Sequence, residues 1–152
     1  MLSASELHQR GVAAINSGRV TTARGLLVRA LARADQDELG GAIEASLAYV
    51  EAETGNREGA MALCDHGLSR PGLTPATRGV IHSQRALLIM LSGRTEEALA
   101  EFDVAIAALG DSAKHRGRAR LNRGNLFLQR NELARAEDDF ANAVPDLVEA
   151  DL

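Results

Sequence analysis

Apolar and polar residues follow one another along the chain with a helical period, and the blocks they form come in pairs. In LSGRTEEALAEFDVAIAAL (residues 91–109) an apolar stretch runs into Gly93. Beyond the turn, Ala98, Phe102 and Ala105 recur at spacings of four and three, which is one face of a helix. The same break stands at NSGRV (Gly18), ETGNR (Gly55) and QRNEL (Asn131), at intervals of 37, 38 and 38 residues. Gly and Asn most readily enter the left-handed conformation that ends a helix. The pattern predicts helices over 5–17, 20–34, 39–54, 57–69, 75–92, 95–109, 113–130 and 133–144. Ser3 with Glu6 fits a capping box at the first start. Thr74 before Pro75 fits a cap and first-turn proline at the fifth. SRPGLTP (69–75) and LGDS (109–112) separate units. Pro145 lacks a backbone N–H and is expected to end or kink the last helix.

The blocks are copies of one unit. Seven residues before each marker stands a small residue: Gly11, Ala48, Ala86, Gly124. Five after it stands Ala23, Ala60, Ala98 or Ala136, and twelve after it Ala30, Gly67, Ala105 or Ala143. Small side chains on the inner faces let two helices approach closely, and a large one there would overpack by ~1–3 kcal/mol. Nine after each marker the residue is larger: Leu27, Cys64, Phe102, Phe140. These are expected to fill space between neighbouring units.

The segments RGVAAINSGRVTTARGLLVRAL, LAYVEAETGNREGAMALCDHGL, RALLIMLSGRTEEALAEFDVAI and RGNLFLQRNELARAEDDFANAV resemble tetratricopeptide (TPR) repeats. The resemblance implies an all-α, right-handed superhelix of four helix-turn-helix repeats. It places them at roughly 4–36, 39–71, 75–110 and 113–146, within a single domain of residues 1–152. Two features depart from the family pattern. The period exceeds 34, and the bulky aromatic expected early in each first helix is replaced by Leu7, Glu44, His82 and Arg120. The Arg- and Ala-rich texture resembles, more distantly, the N-terminal TPR arrays of actinobacterial proteins that end in a CHAT-type peptidase. That resemblance implies a regulatory or sensing segment of a larger multidomain enzyme, with intramolecular contacts.

In TPR proteins the first helices line the concave side, where peptides bind. Carried onto this chain, that face comprises Ser5, Gln9, Val12 and Asn16; Ala42, Ser46, Tyr49 and Glu53; Val80, Gln84, Leu87 and Leu91; Arg118, Asn122, Asn125 and Gln129. One row is polar in every copy: Gln9, Ser46, Gln84, Asn122. Amides donate and accept, so the row suits an extended peptide backbone, with Val12, Tyr49 and Leu87 as apolar anchors and Arg118 and Asn125 beside them. A solvated face fits the same residues. A protein or peptide partner is expected, together with self-association through exposed end repeats.

Composition narrows the picture. Of 152 residues 45% are apolar but only 3% aromatic, so the core must be built from Ala, Leu, Ile and Val. The net charge is −4, and no aromatics interleave with the bases, which argues against nucleic acid as a partner. Lys114, Arg116, Arg118, Arg120, Arg123 and Arg130 fall within 114–130 without an acid, whereas 131–152 holds seven acids and Arg135. Arg116, Arg120 and Arg123 share a stripe. They could meet Glu101 and Asp103, meet an acidic partner, or simply face solvent. Cys64, the single cysteine, cannot form an intrachain disulfide, and no leader pattern opens the chain, so the cytoplasm is expected. ALLIML (86–91) is too short to span a membrane. His8, His66, His82 and His115 have no metal-ligand spacing, and no acid, base and nucleophile converge. No cofactor, metal or catalytic residue is expected, and the chain is read as a non-enzyme.

Overall fold

The computed structural model describes residues 1–151, with side chains as far as Glu149. Among these residues there are eight helices and no strands: α1 (Ala4–Asn16), α2 (Val20–Arg33), α3 (Asp37–Glu53), α4 (Arg57–Ser69), α5 (Pro75–Leu91), α6 (Thr95–Ala108), α7 (Ala113–Gln129) and α8 (Leu133–Asp151). They form four hairpins of a first and a second helix. The chain divides into two compact units, Met1–Thr77 and Arg78–Leu152.

Every hairpin turns in the same way. Gly18, Gly55 and Gly93 have φ of 75°, 87° and 84°, and Asn131 is the one described non-glycine residue with positive φ, at 61°. The amide of each marker donates three residues back, and the next amide donates five residues back: Arg19 to Ala14, Asn56 to Glu51, Arg94 to Ile89, Glu132 to Phe127, at 2.8–3.3 Å. This paired bond is the Schellman arrangement, and it requires a left-handed residue at the marker. The caps read from the sequence are present. Ser3 and Glu6 form a reciprocal capping box, and the Thr77 amide donates to the Thr74 hydroxyl at 3.2 Å.

Packing explains the small residues. A Cβ on Gly11 would fall 2.6 Å from Leu27, and one on Gly124 would fall 2.7 Å from Phe140. In these two hairpins the large residue nine after the marker therefore stands against the small residue of its own hairpin. That contact comes in addition to the expected filling of space between neighbouring units. Leu27 does both, because it also belongs to the first unit's core with Leu7, Ile43, Leu47 and Val50. A further small row escaped the sequence reading: Gly41, Gly79 and Gly117, all buried. Gly79 admits Leu109, and Gly117 admits Leu147. In the second unit Ile81, Ile89, Phe102 and Leu109 are fully buried.

Pro145 does not end the last helix. α8 continues through it to Asp151, although Pro145 has no N–H to donate to Ala141. The turn beyond it is held from outside: the Asp146 carboxylate is fixed by Arg116 and Arg120, and Leu147 seats on Gly117.

Candidate functional site

The first-helix face remains open in each unit. In the first, Gln9 is exposed, and Val12, Ser46 and Tyr49 are half-buried. In the second, Arg118 and Asn125 are exposed, and Gln84, Leu87 and Asn122 are half-buried. The neighbours of these residues along the helices, such as Gly11, Ala45, Ala48, Ala86 and Gly124, are buried. A face that alternates in this way presents its polar and aromatic groups while its backbone packs inward.

One polar contact already crosses this face. His8 Nε2 lies 3.1 Å from the Ser46 hydroxyl, joining α1 to α3. Burial lowers the His8 pKa, which favours the neutral ring that such a bond accommodates. Ser46 is thus partly engaged. Among the described residues no ion pair involves Arg118.

No family model matches the chain, and no curated protein does. Solved structures do. A tetratricopeptide repeat protein from Parabacteroides merdae is 24% identical, with a TM-score of 0.59 over 91% of this chain and 51% of its own. YrrB, described as a TPR protein with an unusual peptide-binding site, is 15% identical, with a TM-score of 0.60 over 94% of this chain and 68% of its own. MamA (MSR-1) is 18% identical, with a TM-score of 0.58 over 99% and 80%. The chain has the tetratricopeptide-repeat fold. It spans about half the length of the Parabacteroides protein. None of these proteins is described as part of a CHAT-type peptidase, and that fainter resemblance gains no support.

The TPR fold makes sense of the missing aromatics. Eleven residues before the marker, where a bulky ring was expected, three hairpins carry a polar side chain tied to their own second helix. Glu44, buried, accepts from Arg70 Nε at 2.5 Å and contacts His66 Nδ1. Arg70 reaches it across bare Gly40, where a Cβ would fall 2.5 Å from the guanidinium. His82 Nδ1 lies 2.5 Å from Glu101. Arg120 donates to Asp146 at 2.7 Å.

A second polar row lies eight residues either side of the marker. Arg85 donates to Glu101 at 2.8 Å. Arg123 grips Asp139 with two bonds, at 2.8 and 2.6 Å, and reaches Asp103 at 2.9 Å. The same positions in the second hairpin are Leu47 and Leu63. The arginine stripe of α7 is therefore chiefly an internal clamp on α8. Arg116 and Arg120 hold Asp146 and depress its pKa, the Arg116 hydrogen bonds most strongly. Of the two acids of α6 that the stripe could meet, Asp103 is reached by Arg123, whereas Glu101 is taken by His82 and Arg85 of α5.

The remaining chemistry is sparse. Cys64 is buried. Among the described residues no group of three His, Cys, Asp or Glu could hold a metal ion, and no helix is long and apolar enough to cross a membrane.

Proposed function

We propose that this TPR-fold protein is a non-catalytic scaffold that binds an extended peptide or protein segment on its first-helix face. The observation that carries the reading is the openness of that face. Gln9, Val12, Ser46 and Tyr49 in one unit, and Gln84, Leu87, Arg118, Asn122 and Asn125 in the other, all keep solvent access, while Gly11, Leu47, Ala48, Ala86, Ala119 and Gly124 beside them are buried. The polar row supplies donors and acceptors for a peptide backbone, and Tyr49 and Leu87 supply apolar contact. In TPR proteins this face lines the concave side, which is the usual binding surface of stacked repeats. That YrrB is described as having a peptide-binding site agrees with this class of partner. The expected compartment is the cytoplasm.

The test is capture of partners from the native host by the intact chain and by Tyr49→Ala, Gln84→Ala and Asn122→Ala variants. Loss of a specific partner in the variants, with helicity unchanged, supports the face. Retention of every partner by all three removes it.

A further inference from the structure

The far side of the last hairpin carries an apolar patch that the other hairpins do not expose. Leu128, Leu133, Val144 and Val148 are 50%, 58%, 59% and 56% exposed. Leu128, Leu133 and Val144, with Ala136, Glu137 and Phe140, border a shallow depression along α8. In the first hairpin the residues in register with Leu128, Leu133 and Val144 are Ile15, Val20 and Leu31. Those three are packed against a core that includes Ile43, Leu47 and Val50 of α3. The molecule therefore contains a worked example of what covers such a patch.

The covering helix has a readable pattern. α3 presents Leu39, Ile43, Leu47 and Val50, and the residue after Val50 is Glu51. Glu51 accepts from Arg24 Nε at 2.7 Å, so the apolar stripe is registered by one ion pair. On the last hairpin the position of Arg24 is held by exposed Glu137, which lines the depression. The charge is inverted while the apolar row is kept. This excludes two simple occupants. A second copy meeting the patch with its own patch would bring acidic α8 against acidic α8. A second copy meeting it with α1 would offer Glu6 and Arg10 where α3 offers Ile43 and Leu47, leaving the row uncovered.

We propose that the outer face of α7–α8 is a second docking site, for a basic amphipathic helix of a partner protein. Its sequence has the form apolar-x3-apolar-x3-apolar-x2-apolar-basic, with the base opposite Glu137. The mode is helix-in-groove, in which a stripe of i, i+4 anchors supplies affinity and a rim charge fixes register. This site is separate from the first-helix face and does not depend on it.

The chain supplies its own probe. A labelled peptide of residues 37–53 carrying Glu51→Arg is titrated with the intact protein, beside the unaltered peptide. The expected result is binding of the substituted peptide, weakened about tenfold or more by Val144→Arg or Leu133→Arg in the protein, which removes about 1.4 kcal/mol or more. Both residues lie largely in solvent, so these variants should fold, and circular dichroism checks that they do. Glu137→Arg should reverse the preference toward the unaltered peptide by about two- to fivefold, the scale of an exposed ion pair. Three results would overturn the proposal: no binding of the substituted peptide, binding indifferent to Val144→Arg, or light scattering showing the patch already buried in a dimer that the same substitution dissolves. Tyr49→Ala and Asn122→Ala should leave peptide binding unchanged, which separates this outcome from failure of the first-helix face.

Discussion

At the scale of single residues, stability rests on two kinds of position. The turn markers need backbone freedom. Gly93 has φ of 84° and nothing within 4 Å of the Cβ it lacks, so Gly93→Ala meets no neighbour and costs only the left-handed backbone. Urea denaturation should show a loss of about 1–2 kcal/mol, and Asn131→Gly a gain of less than about 1 kcal/mol. The buried carboxylates need their arginines. Asp139 is 4% exposed, and Asp139→Ala strands the Arg123 guanidinium against Phe127, whose ring centroid is 5.9 Å away. The loss should fall at the lower end of about 3–5 kcal/mol, because Asp103 still reaches Arg123. The markers were legible in the sequence because one conformational demand recurs at one spacing. The Arg85–Glu101, Arg123–Asp139 and Arg116–Asp146 pairs were not, because their acids lie on the second helix, eight or fifteen residues beyond the marker. Nothing in the α7 stripe distinguished clamp from solvated face.

At the scale of elements, the sequence was read almost to the residue, since Gly, Asn, Ser3 and Thr74 each punctuate the chain by a local mechanism. The exception was Pro145, where tertiary anchoring of Asp146 and Leu147 overrides a local breaker. Pro145 is exposed, so Pro145→Ala should disturb no packing while restoring a helical hydrogen bond. A gain of up to about 3 kcal/mol is expected, read as a rise in the thermal midpoint. Repeat register is checked on α6. Ala98 is fully buried and Arg94 is a half-exposed turn residue, so Ala98→Phe should destabilise the protein by ~1–3 kcal/mol and Arg94→Phe should not. Equal tolerance would mean that the hairpin faces are misassigned.

For the whole molecule, acid should act in two stages. His8 is held below its ordinary 6.5 by burial, so its contribution is complete above that pH and is lost as pH falls through the lowered value. A pH series of denaturation midpoints should decline mildly below about pH 6.5, and His8→Gln should reduce that decline without abolishing it, because burial and the Arg118 and Lys114 charges lower the His115 pKa as well. The second stage belongs to Asp146, Glu51 and Glu38. The Arg116 hydrogen bonds to Asp146 and the Arg24 bond to Glu51 depress those two, and at Glu38 burial is outweighed by the bonds from Thr74 and Thr77. Depressed carboxylates stabilise above their unfolded pKa values and lose that contribution as pH falls through the folded ones. A steep loss should therefore begin near pH 4, and salt should soften it.

The mixed chemistry of the helix–helix contacts also bears on how the chain avoids assembling incorrectly. Four near-copies in one polypeptide invite a first helix to pair with the wrong second helix, a characteristic failure of repeat proteins. Here the copies are not interchangeable. If α3 docked on α8, Leu47 would face Asp139; if α7 docked on α4, Arg123 would face Leu63. Each exchange leaves a desolvated charge without its mate, whereas the correct pairing satisfies both. The polar substitutions that obscure the family signature thus act as keys, keeping the helices of the second hairpin from pairing with those of the third and fourth, where arginine meets carboxylate.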